Sequence, residues 1–138
     1  MSLPDKSLPF REWYDLLLKP AWTPSVSTIG TIWSVLYPLI FTVYCYALIK
    51  VVKGEWSRSL VLPIILNIAF NLAFTPVQFG LRNFVLASFV VVAVCLTAAW
   101  TSYALYPNSR LLALLLVPYI AWTAIASVLQ IQITWMNR

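Results

Sequence analysis

Charge is confined to a few short places in this 138-residue chain, and that confinement dictates its solvent. Asp5, Lys6, Arg11, Glu12, Asp15 and Lys19 stand at the start; Lys50, Lys53, Glu55 and Arg58 form a second group; only Arg82, Arg110 and Arg138 follow. Between them run uncharged stretches at 20–49, 59–81, 83–109 and 111–137, which are 30, 23, 27 and 27 residues long. A hydrocarbon layer about 30 Å thick is crossed by roughly 20 helical residues at about 1.5 Å each. A charge held at its centre costs several kcal/mol, on the order of 2.5–3.5 on insertion scales. The pattern predicts an all-α integral membrane protein with four transmembrane helices, at about 26–49, 60–81, 84–106 and 111–135. With 9% of residues charged and 62% hydrophobic, the chain has no room for a second, soluble domain beside these spans. It reads as one membrane domain over 1–138, in which 1–24 is an amphipathic lead.

The net charge of +5 places basic residues at span ends, where they meet lipid phosphates, so no nucleic-acid partner is expected. Membrane lipid is the expected surrounding partner. Cys45 and Cys95 lie within predicted spans and read as small apolar residues. Basic residues divide five (Lys6, Arg11, Lys19, Arg82, Arg138) against four (Lys50, Lys53, Arg58, Arg110) between the two sides, which sets no orientation. In the lead, Phe10, Trp13, Tyr14, Leu17 and Leu18 share one helical face. A short helix lying in the interface, or folded over the mouth of the bundle, satisfies that pattern, and Lys19-Pro20 and Pro24 end it. Pro38, Pro63, Pro76 and Pro118 mark places where spans bend.

The missing chemistry narrows function. There is no histidine, so imidazole bases and the usual zinc and haem ligand sets are excluded, and no metal site is expected. No Asp or Glu lies in a span, which disfavours proton-coupled antiport. No nucleophile has an evident activating partner, so no conventional catalytic residue is assigned. Aromatic surface is plentiful instead, with seven Trp, seven Tyr and seven Phe. Trp13, Trp56 and Trp135 suit interfacial belts. Trp33 and Tyr37 lie one turn apart on the first span, Phe70, Asn71 and Phe74 are central in the second, and Tyr119, Trp122 and Ala126 share a face of the fourth. An amide at the depth of Asn71 needs a partner in another helix or a ligand.

Three ordered motifs carry a family resemblance. Trp13-Tyr14-x-x-Leu17-x-Lys19-Pro20-x-Trp22-x-Pro24 with Trp33-x-x-Leu36-Tyr37 comes first. Asn71-x-x-x-x-Pro76-x-x-Phe79-Gly80-x-Arg82 comes second, and Leu116-x-Pro118-Tyr119-x-x-Trp122-x-x-x-Ala126-x-x-Leu129 third. Together they resemble the translocator protein family, also called tryptophan-rich sensory proteins, over about 13–129. The resemblance implies a five-helix membrane bundle whose pocket takes porphyrins, sterols and isoquinoline- or benzodiazepine-type drugs. It implies ligand-binding roles for Trp22, Trp33, Tyr37, Asn71, Phe74, Tyr119, Trp122 and Ala126. No cofactor is required, and a porphyrin or haem is the implied ligand. If the protein is an enzyme, Trp33 and Trp122 are the implied residues for light- or oxygen-dependent porphyrin degradation; a lipid- or sterol-binding transporter or scaffold is the third reading.

Only twelve mostly polar residues precede Trp13, so the four spans map onto the family's second to fifth helices, without a counterpart of its first. Such a bundle is expected to expose a groove, and the resemblance implies a homodimer, for which Ala69-x-x-x-Ala73 would permit close approach. Ser25 replaces a usual proline and Phe74 a usual tryptophan. Ile131 and Gln132 stand where the family's sterol segment needs other residues, and Val43-x-x-Tyr46-x-x-x-Lys50 fits a loose sterol pattern elsewhere. Near the pocket mouth, Arg11 and Lys19 could meet ligand carboxylates, and contact with lipid headgroups is an equal reading for both. The expected location is a prokaryotic inner membrane, with the mitochondrial outer membrane as the alternative.

Overall fold

A computed structural model describes residues 10–77 and 83–137, without the side chains of Phe10, Arg11, Trp13 and Thr75. The expectations for Arg11, Trp13, the Phe79-Gly80 turn, Arg82 and Arg138 therefore lie outside the described residues. Among those described, a short helix α1 (Phe10–Asp15) leads to α2 (Val26–Val52). A 3₁₀ turn (Arg58–Leu60) opens α3 (Val61–Thr75), followed by α4 (Phe84–Leu105), α5 (Arg110–Leu115) and α6 (Val117–Met136). The architecture is a helical membrane bundle of four walls, with α5 and α6 forming the last wall in two pieces.

Each boundary has a local cause. Ser25 caps α2 by accepting a hydrogen bond from Thr28 N at 3.1 Å, which a proline at that position could not do. Asn83 and Ser109 cap α4 and α5 in the same way. Past the end of α2, Gly54 takes φ +78°, a left-handed conformation that closes the helix end, and Lys50 bridges to Glu55 at 2.7 Å beside it. Pro118 lacks the N–H needed to continue the hydrogen-bond ladder, so the last wall breaks at Leu116 and restarts as α6. Pro38 is accommodated inside α2, and Pro63 sits in the first turn of α3, where no hydrogen bond is lost.

Among the described residues, three helices are long and apolar enough to cross a bilayer: Val26–Val52, Phe84–Leu105 and Arg110–Met136 taken together. The segment Arg58–Phe74 is shorter, about 26 Å at 1.5 Å per residue. The regular α-helix of the second wall runs over 61–75 with Pro76 at its C-cap, and the far end of the expected span 60–81 lies outside the described residues. Outward side chains such as Val35, Phe41, Leu72, Phe89 and Leu96 are exposed, as lipid-facing residues should be.

Helix α4 is the hub, packed along both α3 and α6, while α2 meets its neighbours more sparsely. Small residues on α4 (Ala87 and Ala98 are fully buried) let the helices approach. Polar groups fasten them: Ser88 and Thr134 hydroxyls lie 2.9 Å apart between α4 and α6, and Ser102 Oγ donates to Ala113 O at 2.9 Å. The strongest fastening surrounds Asn67, which is fully buried. Its Oδ1 accepts from Tyr44 Oη at 2.6 Å and Tyr119 Oη at 2.9 Å, and its Nδ2 donates to Val94 O and Thr97 Oγ1, both at 2.9 Å.

Replacing Asn67 by Leu would leave the Tyr44 and Tyr119 hydroxyls without their shared acceptor inside hydrocarbon. A loss of about 2–3 kcal/mol of stability is expected, read as a lower thermal midpoint in detergent. Tyr44→Phe removes one bond of the set and should cost about 1 kcal/mol.

Candidate functional site

The aromatic residues on α2 and α6 converge where these two helices pack against one another. Trp33 stacks on Tyr37 with ring centroids 5.0 Å apart and planes at 24°. It meets Tyr119 edge-on at 6.4 Å and Trp122 edge-on at 6.5 Å, the latter with planes at 80°. Beside this cluster lies a cavity of about 130 Å³ that continues into open space at its mouth. Its walls come from α1 (Tyr14), α2 (Val26, Ile29, Trp33, Tyr37), α3 (Asn71, Phe74), α4 (Val91, Val94) and α6 (Trp122, Ala126, Leu129, Gln130, Ile133).

Six of the eight expected site residues, Trp33, Tyr37, Asn71, Phe74, Trp122 and Ala126, line this cavity. Tyr119 does not. It is fully buried behind the wall, where its hydroxyl donates to Asn67 and receives a 2.5 Å hydrogen bond from Asn71 Nδ2. Tyr119 therefore braces Trp33 and Asn71 and is not placed to touch a ligand. Trp22 is also outside: it is 47% exposed, in the turn after the lead, away from the cavity wall. The Trp33 and Trp122 planes are nearly perpendicular, so a flat ring can lie face-on against one of them but not both as they stand.

The described end of the lead packs beside the cavity, whose wall includes Tyr14. Tyr14 and Leu17 are buried against Phe84, Leu129 and Ile133, and Val26 packs on the same cluster. Asn137 pins the strand after α1: Leu18 N donates to Asn137 Oδ1 at 3.0 Å and Asn137 Nδ2 donates to Leu18 O at 2.7 Å. Lys19, expected near the mouth to meet carboxylates or lipid headgroups, is partly exposed and bonded to backbone carbonyls. Its Nζ donates to Tyr14 O at 2.7 Å and Leu17 O at 3.2 Å, and lies 4.7 Å from the Tyr14 ring centre. It caps carbonyls at the end of α1, as a cation at a helix C-terminus does. Burial pushes its ammonium below the usual lysine range, with Asp15 opposing that shift.

Reading of the sequence missed Asn67 and Gln130. Asn67 lies one helical turn from Asn71, and the pair of amides in one apolar span was the available signal. Gln130 is 5% exposed and its Nε2 is buried without a hydrogen-bond partner; the same holds for Trp122 Nε1. A second hollow of about 610 Å³ faces outward between α2 and α3, where Tyr37, Phe41, Tyr44, Ile68 and Leu72 line it. It is larger but open along its length, and Tyr37 and Asn71 stand between it and the inner cavity.

With that arrangement in place, likeness to other proteins is decisive on kinship. The sequence profile described as the TspO/MBR family matches residues 3–136. The chain belongs to the TspO/MBR family. The tryptophan-rich protein TspO of Bacillus cereus is 37% identical over 127 residues, which cover 92% of this chain and 82% of that protein. An uncharacterized membrane protein of Bacillus subtilis, YtaB, is 37% identical over 131 residues, with 92% and 81% covered. The translocator protein of Sus scrofa is 38% identical over 120 residues, with 85% and 70% covered. As a TspO/MBR protein with apolar spanning helices, the chain is an integral membrane protein.

The lid makes its own prediction. Asn137→Ala removes both bonds to Leu18, so amide exchange at Leu18 and proteolysis within 16–25 should accelerate several-fold while the thermal midpoint of the bundle moves little.

Proposed function

We propose that this protein binds a planar hydrophobic ligand, a tetrapyrrole of the protoporphyrin or haem type, in the cavity between α2, α3, α4 and α6. The observation that carries the proposal is the convergence of Trp33, Phe74 and Trp122 around a hollow whose floor is kept open by the small side chain of Ala126. Indoles supply stacking faces and the remaining lining is largely aliphatic, which is the usual composition of a small-molecule site. The names of relatives support a role in transport or sensing: one from Cereibacter sphaeroides is a tryptophan-rich sensory protein and others are translocator proteins. Bacterial relatives at 37% identity favour a prokaryotic inner membrane as its location.

The cavity of about 130 Å³ is smaller than the roughly 300–1,000 Å³ of ordinary ligand sites. Binding a whole ring therefore requires it to widen. The parts able to yield are the α1 lid, tied down by the Asn137 pair, and α2, which packs more sparsely than α4.

Titration with protoporphyrin, followed by tryptophan quenching, tests the reading. Wild type should quench saturably, and Ala126→Phe, which fills the floor, should abolish saturation. Equal affinity in the two proteins would remove this cavity as the site. A second reading, light- and oxygen-dependent degradation of the bound ring, draws support from the direct contact of Trp33 with Trp122 beside the cavity. Under illumination in air, Trp33→Phe should then slow loss of ring absorbance while binding persists; unchanged loss would leave binding alone.

A further inference from the structure

The cavity's polar equipment says more about the ligand than its shape does. Among the described residues that line it, none carries a charge. The nearby cation, Lys19, is engaged with the carbonyls of α1 and with the Tyr14 ring. The Asn71 amide nitrogen is likewise committed, donating to Asn67 O at 2.9 Å and to Tyr119 Oη. Two lining residues hold buried polar atoms with no partner, Trp122 Nε1 and Gln130 Nε2, and both atoms are N–H donors with the amide oriented as it is here.

Gln130 is the more informative of the two. It lies eight residues beyond Trp122 on α6, about 12 Å along the helix and nearer the lid. Leu129 and Ile133 flank it in the cluster under Tyr14 and Leu17. At 5% exposure it sits among apolar neighbours that Leu or Met would suit equally well, and an unpaired amide there costs on the order of 1–3 kcal/mol. A buried neutral donor on a residue that lines the hollow is complementary to a neutral acceptor. No cation among the described lining residues stands there to compensate an ionised carboxylate for its lost hydration.

We propose that Gln130 is a specificity-determining residue that donates a hydrogen bond to an uncharged acceptor of the ligand, a carbonyl of ester, amide or ketone type, just beneath the lid. This rests on the cavity being the ligand site as proposed above. The pocket then takes the neutral part of a planar ligand's rim beneath the lid, and any free carboxylates of a protoporphyrin-type ring stay outside it.

Three probes separate the possibilities: protoporphyrin dimethyl ester, protoporphyrin diacid, and etioporphyrin, whose rim carries only alkyl groups. Each is titrated by tryptophan quenching against wild type, Gln130→Leu and Gln130→Met, with the thermal midpoint confirming that at least one variant folds. The ester should bind wild type at least as tightly as the diacid. Either folded variant should weaken ester binding by roughly 3- to 10-fold, the value of one neutral hydrogen bond, and leave etioporphyrin unchanged. Equal weakening of ester and etioporphyrin would show a packing role and overturn the proposal, as would no weakening of either or a clear preference for the diacid. Ala126→Phe distinguishes the two levels: if it spares all three probes, the cavity reading itself fails, whereas if it abolishes them and Gln130→Leu is neutral, only the role of Gln130 fails.

Discussion

A side-chain amide in the middle of an apolar bundle has four hydrogen-bonding positions to fill, and Asn67 fills them from three other helices. Tyr44 of α2 and Tyr119 of α6 donate to its oxygen, while its nitrogen donates to Val94 O and Thr97 on α4. Hydrocarbon offers no water to complete a broken set, so the arrangement is satisfied only when all four walls are in register. Lipid tails are as apolar as leucine and give the helices little reason to choose one rotation over another. The knot around Asn67 supplies that reason, with the Ser88–Thr134 and Ser102–Ala113 links repeating the same logic at other levels of α4.

The candidate site inherits its geometry from this knot. Tyr119 both anchors Asn67 and sets the edge against which Trp33 rests, and Asn71 reaches the same hydroxyl from one turn further along α3. Rigidity on this side contrasts with the lid and with α2, where fewer contacts hold the chain. A cavity with one braced wall and one loosely held wall can admit a ligand larger than its resting volume without dismantling the bundle.

The four walls were legible from charge spacing because a single charge at mid-membrane outweighs any local preference. The end of the second wall, expected at 81, lies outside the described residues, which show its α-helix as far as Thr75. Trp33, Tyr37, Asn71, Phe74, Trp122 and Ala126 were found through the family motifs, and they do share one cavity. Motifs do not say which side of a wall a residue serves, so Tyr119 and the exposed Trp22 were misjudged as lining. Lys19 was read from its charge as a partner for ligand carboxylates or lipid headgroups, yet the carbonyls at the end of α1 hold it. Gln130 escaped notice because a lone amide near a span end is unremarkable until burial shows that nothing pairs with it.

The most direct test of the account is an experimental structure of the protein in lipid with protoporphyrin dimethyl ester bound. The account requires the ring between α2 and α6, against Trp33 or Trp122 and beside Ala126, with the lid displaced from its present seat. A ring lodged instead in the outward groove between Phe41 and Leu72, with the inner cavity unchanged, would contradict it.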